Sequence, residues 1–115
     1  MSHALPNYLR SHRKSAGLTQ SEMAYLLGCR SGAKVSRYER FARLPTLRTV
    51  FACEALFRNP ARQLFLGIFE AAERKILGRV RVLIRRLSKE MPSQVTARKI
   101  EFLKAALPKQ SQTHL

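Results

Sequence analysis

The sequence predicts an all-α protein: five short helices followed by a C-terminal helical hairpin. Three observations point to it. Valine and isoleucine are few and never alternate with polar residues over the length of a strand. Capping residues, glycines and prolines instead separate segments whose apolar residues recur every three or four positions, the helical period. And 45% of the 115 residues are hydrophobic, enough to bury a core in a small domain.

Taken in order, Pro6 with Asn7 opens a first helix that runs to about Lys14 and is ended by Gly17. Thr19 caps a second, and Glu22 three residues later completes a capping box. That helix carries Met23, Ala24, Leu26 and Leu27 and ends at Gly28, a C′ glycine. The polar stretch Cys29 to Gly32 precedes a third helix, about Ala33 to Arg40. After Pro45, Thr46 caps a fourth that reaches about Phe57. Asn59-Pro60 reads as N-cap plus N1 proline for a fifth. From Ile68 the residues Ala72, Ile76, Val80, Leu83, Leu87 and Met91 form one continuous stripe, with Gly67 kinking or separating this helix from the fifth. Pro92-Ser93 ends it, and a last helix, about Gln94 to Leu107, sets Ile100, Leu103 and Leu107 on one face before Pro108. The expected organisation is a first domain over 1–66, a helical extension over 67–108 and a polar tail over 109–115.

Charge narrows the partners. Lys and Arg number 22 against 7 acids, all Glu, for a formal net charge of +15. The excess is even: 10 basic and 3 acidic residues in 1–58, 12 and 4 in 59–115. It is thus the charge of the body and not of a tail, and a polyanion would relieve its self-repulsion. No stretch approaches the roughly 18 uninterrupted apolar residues of a membrane span, and no apolar h-region of a secretory signal stands at the N-terminus. Cys29 and Cys53 lack C-x-x-C spacing, which favours a reduced, cytoplasmic protein. His3, His12 and His114 are scattered, so no metal is expected. Paired carboxylates, a Ser-His-acid set and a glycine-rich phosphate loop are all missing, so neither an enzyme nor a cofactor is expected.

The informative run is LTQSEMAYLLGCRSGAKVSRYERFARLP, residues 18–45, two short helices around a glycine-started turn. In a helix-turn-helix the second helix of such a pair enters the major groove. Val35 faces the core with Leu27 and Leu9, and small Ala24 lets the two helices cross closely. Ser31, Gly32, Ala33, Lys34, Ser36 and Arg37 are then turned outward, with Arg30 and Ser31 at the groove-pointing end. Arg37 is the best base reader, because its planar fork matches guanine O6 and N7. Gln20 starts the second helix, where free N–H groups suit a phosphate. The bland alternative is a solvated polar face.

The pieces Leu9-Arg10, Arg13, Gly17-Leu18-Thr19-Gln20, Glu22-Met23-Ala24, Leu27-Gly28, Val35-Ser36-Arg37-Tyr38-Glu39-Arg40 and Leu44-Pro45 together resemble the phage repressor/Cro-like (XRE-type) helix-turn-helix family. The likeness covers about residues 5–70, including Asn59 to Glu70, and makes the first five helices a repressor-like domain. It implies that Arg13 and Glu39 form a buried or half-buried ion pair tying the first helix to the end of the third. It implies that Gln20 touches the DNA backbone or braces the recognition helix, and that Arg40, Arg43 and Arg48 clamp phosphates, with Arg10 and Lys14 weaker contributors. It further implies double-stranded DNA as partner and a homodimer on two half-sites. Two features depart from the family. The segment from Gly28 to Val35 is one residue longer than the commonest spacing, and Phe41 stands where a glycine is frequent, so that the third helix ends differently or Phe41 plugs the domain.

Arg74, Lys75, Arg79, Arg81, Arg85 and Arg86 flank the C-terminal stripe. Such a basic amphipathic helix can lie on a membrane, bind nucleic acid or pack on a partner. Packing against Ile100, Leu103 and Leu107 is the preferred reading, with Ile76, Val80, Leu83, Leu87 and Leu103 as dimerisation candidates. The function expected is sequence-specific duplex binding by a cytoplasmic, nucleoid-associated transcriptional regulator, a repressor, with no small-molecule ligand and no membrane. Non-specific nucleic-acid binding and a membrane-surface or protein-interaction module are the alternatives.

Overall fold

A computed structural model describes residues 4–109. His3, His114 and the tail beyond Lys109 lie outside the described residues. Within them are seven helices and no strand: α1 (Leu9–Ser15), α2 (Gln20–Leu27), α3 (Gly32–Glu39), α4 (Leu47–Phe57), α5 (Ala61–Leu64), α6 (Leu66–Ser88) and α7 (Gln94–Ala106). The chain divides into two compact units, Met1–Glu70 and Ala71–Leu115, a division that falls inside α6.

The core of the first unit is Leu9, Met23, Ala24, Val35, Tyr38, Cys53, Leu64 and Phe65, flanked by Leu27, Val50, Phe57 and Ile68. Every one of α1 to α5 contributes, because no helix of four to eleven residues is stable without a buried face. α2 and α3 pack on each other most extensively. Burial pushes the Cys53 thiol up, with a smaller contribution from Cys29, to about 11, so it stays protonated at neutral pH.

Local chemistry explains most helix ends. Thr19 Oγ1 accepts from the Glu22 backbone N–H while Glu22 Oε1 accepts from the Thr19 N–H, the expected capping box. Thr46 and Ser93 cap α4 and α7 in the same one-sided way, accepting from the backbone N–H groups of Thr49 and Thr96. α1, α2 and α3 close with one hydrogen-bond pattern. The cap itself in α2, and the residue after the cap in α1 and α3, takes positive φ, and the next N–H reaches back five residues: Leu18 to Arg13, Cys29 to Ala24, Ala42 to Arg37. At the first two closures the positive-φ residue is Gly17 or Gly28; at the third it is Phe41, with φ 63°.

Phe41 therefore occupies the glycine position in the left-handed conformation instead of plugging the domain, and the residue is 46% exposed. A bulky residue is strained there. Replacing Phe41 by Gly and by Ala removes the ring equally, so the pair isolates the backbone. The Gly variant is expected to be more stable than the Ala variant by about 1 kcal/mol in urea unfolding. Equal midpoints would mean that α3 does not close this way.

Four expectations need correction. α1 begins at Leu9 and not at Pro6-Asn7, because Asn7 is buried and uses its side chain elsewhere. Pro60 is the cap of α5 and not its first residue: its ψ of 142° is extended, and the Glu54 carboxylate accepts the Ala61 N–H in place of Asn59. Gly67 neither kinks nor separates α6; the break falls at Phe65, with φ −117° and ψ 42°, and Gly67 lies inside the helix. Met91 is not on the stripe, since α6 ends at Ser88 and Met91 is 87% exposed.

In the second unit Val80 and Leu87 are buried, and Leu77, Ile84, Ile100 and Leu103 are half-buried. Leu87, Pro92, Thr96, Ala97 and Ile100 line one small cavity at the turn between α6 and α7. No described helix is long and apolar enough to cross a membrane.

Candidate nucleic-acid interface

α3 is fixed from one side and open on the other. Val35, Tyr38 and Glu39 are buried, whereas Ala33 and Arg37 are exposed and Lys34 and Ser36 are half-buried. At about 100° per residue, Ser36, Ala33, Arg37 and Lys34 follow one another around the side opposite Val35. The geometry thus brings together four of the seven residues read as base contacts. Arg30 and Ser31 lie just ahead of the helix, both exposed.

Gly32 does not belong with them. A side chain at Gly32 would meet the Ser21 nitrogen at 3.2 Å and the Gln20 carbonyl carbon at 3.3 Å, so this position faces α2 and permits its close approach. Because Val35, Tyr38 and Glu39 stay in step with the core, the extra residue is taken up in the connection Gly28 to Ser31 and not within α3.

The buried side of α3 is held by an ionic cluster. Arg13 Nε donates to Glu39 Oε2 at 2.6 Å, and Arg13 Nη2 donates to Oε1 at 3.1 Å, a bidentate fork. Arg13 Nη1 donates to the Leu18 carbonyl at 2.9 Å, which fixes the fork itself. Gln20 Nε2 donates to Glu39 Oε1 at 3.0 Å, so Gln20 braces α3 with one amide hydrogen and keeps the second, with its backbone N–H, at the N-terminus of α2. Burial raises the Glu39 carboxyl, but the hydrogen bonds from Arg13 and Gln20, with the charges of Arg13 and Arg10, outweigh it and hold the carboxyl below its usual range. The Arg13 guanidinium is raised, chiefly by its hydrogen bond to Glu39.

One residue of this support was missed in the sequence. Asn7 is buried, accepts the Leu9 N–H on Oδ1 at 3.0 Å and donates from Nδ2 to the Tyr38 carbonyl at 3.0 Å. It ties the start of α1 to the last turn of α3. The only signal was an amide side chain two residues ahead of an apolar helix start, which reads equally well as an ordinary cap.

The cations read as phosphate clamps follow α3. Arg40 is its C-cap, and its Nε donates to Ser36 Oγ at 3.2 Å, so these two side chains share a position on the open face. Arg43 is exposed in the connection, and Arg48 is exposed in the first turn of α4. Neither α3 nor α4 has an acid in its first turn, where one would offset the positive end of the helix dipole. Arg10 and Lys14 are exposed on α1.

No curated protein and no solved structure matches the chain. Residues 4–58, the span of α1 to α4, match the family model of a helix-turn-helix domain. With a capped α2, a four-residue turn and an α3 whose open side carries Lys34 and Arg37, residues 4–58 of this chain are a helix-turn-helix domain, a fold that implies nucleic-acid binding.

Proposed function

We propose that the chain is a sequence-specific transcriptional regulator of the repressor/Cro-like type, binding duplex DNA as a homodimer on two half-sites. The observation that carries this reading is the division of α3 into a clamped side and an open side. An ion pair, a brace and a buried amide hold a short helix rigidly, and its free sector carries Arg37, with Lys34 beside it. Rigid presentation of a forked donor is what reading a base edge requires. Arg30, Ser31, Ala33 and Ser36 complete the sector. Arg43 and Arg48 hold the phosphate backbone, as does Arg40, and so fix the register. The uncompensated N-terminus of α4, where Arg48 stands, favours the same anion. This assignment calls for no enzyme chemistry, cofactor or small ligand, and it implies a cytoplasmic, nucleoid-associated protein acting as a repressor.

The dimer interface narrows with the burial pattern. Val80 and Leu87 are already buried in the single chain, and Leu103 is half-buried; Ile76 and Leu83 are exposed and remain for a second copy. Sedimentation at high micromolar concentration, with and without DNA, tests it. A monomer under both conditions removes the dimer from the reading.

Selection of bound sites from a random duplex pool, followed by competition with unselected duplex, tests the main claim. Arg37→Ala is expected to lower the ratio of selected to unselected affinity about tenfold. Arg43→Ala is expected to weaken all sequences alike and to shallow the plot of log affinity against log salt by about 0.9. Equal affinity of the wild-type chain for every sequence rejects the specific reading.

A further inference from the structure

We propose that the exposed side of α6 between Arg74 and Arg86 is a second phosphate-binding surface for duplex DNA, separate from the helix-turn-helix. It rests on the preceding reading only for the choice of duplex as ligand. Arg74, Lys75, Arg79, Arg81, Arg85 and Arg86 are all exposed. Placed at about 100° per residue, the six fall within roughly 160° of the helix circumference. The remaining arc holds Leu77, Val80, Ile84 and Leu87, which are buried or half-buried. Glu73, the acid on α6 beyond Ala71, lies on that other arc and not among the cations.

Such a face is costly unless something offsets it. Lys75 and Arg79 are four residues apart, and like charges at that spacing repel along a helix. An ordinary solvated face interleaves acids with bases at this distance; from Lys75 to Arg85 this one does not, and the acids at that spacing, Glu70 and Glu90, flank only Arg74 and Arg86 at its two ends. The polyanion that fits is extended. Arg74 to Arg86 spans about 18 Å of helix, and the same length of B-DNA carries about ten phosphates. A membrane surface fits less well. A helix lying on lipid inserts its apolar side, and here Val80 and Leu87 on that side are already covered by the chain. Contacts of this kind add affinity and salt dependence without adding sequence preference.

The test uses the full chain and the triple substitution Lys75→Gln, Arg79→Gln and Arg86→Gln, with circular dichroism to follow helix content. Fluorescence anisotropy is measured on selected and unselected duplexes of roughly 30 base pairs across a salt series. The slope of log affinity against log salt is expected to fall by about 2–3 on both duplexes, with their affinity ratio unchanged. A slope that stays the same in a variant of unchanged helix content overturns the proposal. If the triple variant loses helix content, the pair Arg74→Gln and Arg85→Gln decides by the same criterion, with an expected fall of about 1–2. Loss of binding to anionic vesicles or to single-stranded RNA, with the duplex slope unchanged, also overturns it in favour of those ligands. Failure of the helix-turn-helix reading is distinguishable: the wild-type ratio is then already one, while the slope change on α6 persists.

Discussion

Glu39→Ala is expected to destabilise the first unit by about 3–5 kcal/mol in urea unfolding. The magnitude follows from what is left behind. Arg13 would keep its buried guanidinium with only the Leu18 carbonyl as a partner, and the Gln20 amide would lose its acceptor. An exposed pair would cost about 1 kcal/mol or less, so the measured value distinguishes a buried cluster from a surface one. Replacing both partners, with Arg13→Met and Glu39→Leu, removes both charges together and should recover much of the loss, because a buried pair contributes orientation more than net stability. A double variant no better than the single one sinks this account.

The same cluster sets an acid limb. The Glu39 carboxyl is held below its ordinary value of 4.5, so the folded state binds that proton more weakly than the unfolded chain. Stability from this group is fully present above that ordinary value and is lost as pH falls through the lowered folded value. Glu39→Gln should be less stable near neutral pH, and its stability should fall less between neutral pH and about pH 3.

Gly67→Ala and Gly78→Ala are expected to move stability in opposite directions. Both glycines lie in α6. A Cβ at Gly67 would sit 2.4 Å from the Leu5 carbonyl oxygen, and the Gly67 N–H donates to that same oxygen at 2.9 Å. The colliding atom is backbone, so relief means moving the N-terminal segment off the helix. The expected cost is about 1–3 kcal/mol. A Cβ at Gly78 meets nothing within 4 Å, so alanine there gains helix propensity of up to about 1 kcal/mol. Thermal midpoints of the two variants check both signs, and a stabilised Gly67→Ala would show that Leu5 does not lie where the structure has it.

What was legible in the sequence was local or carried by a likeness. The Thr19–Glu22 box, the Gly28 closure and the Thr46 cap each depend on residues within a few positions of one another, and each is seen as expected. Val35 in the core, Arg13 paired with Glu39 and Gln20 bracing α3 came from the spaced run and its family resemblance. What was not legible depends on distant partners. Glu54 takes the α5 cap from Asn59 across seven residues, and Asn7 reaches Tyr38 across thirty-one. Gly67 looks like a helix breaker until Leu5 is placed against it, and Gly32 looks like part of the open face until α2 is. The stripe on α6 gave the right helix, but periodicity alone could not tell Val80, which is covered, from Ile76, which is 60% exposed.

The segment from Leu5 to Tyr8 is stitched at both ends of its short length. Leu5 receives Gly67, Asn7 grips Tyr38, and the Tyr8 N–H donates to the Leu64 carbonyl at 2.8 Å. Proteolytic trimming past Asn7 would therefore unfasten the back of α3, although the cut lies some thirty positions upstream in the chain. An affinity tag crowded against those residues acts on the same clasp.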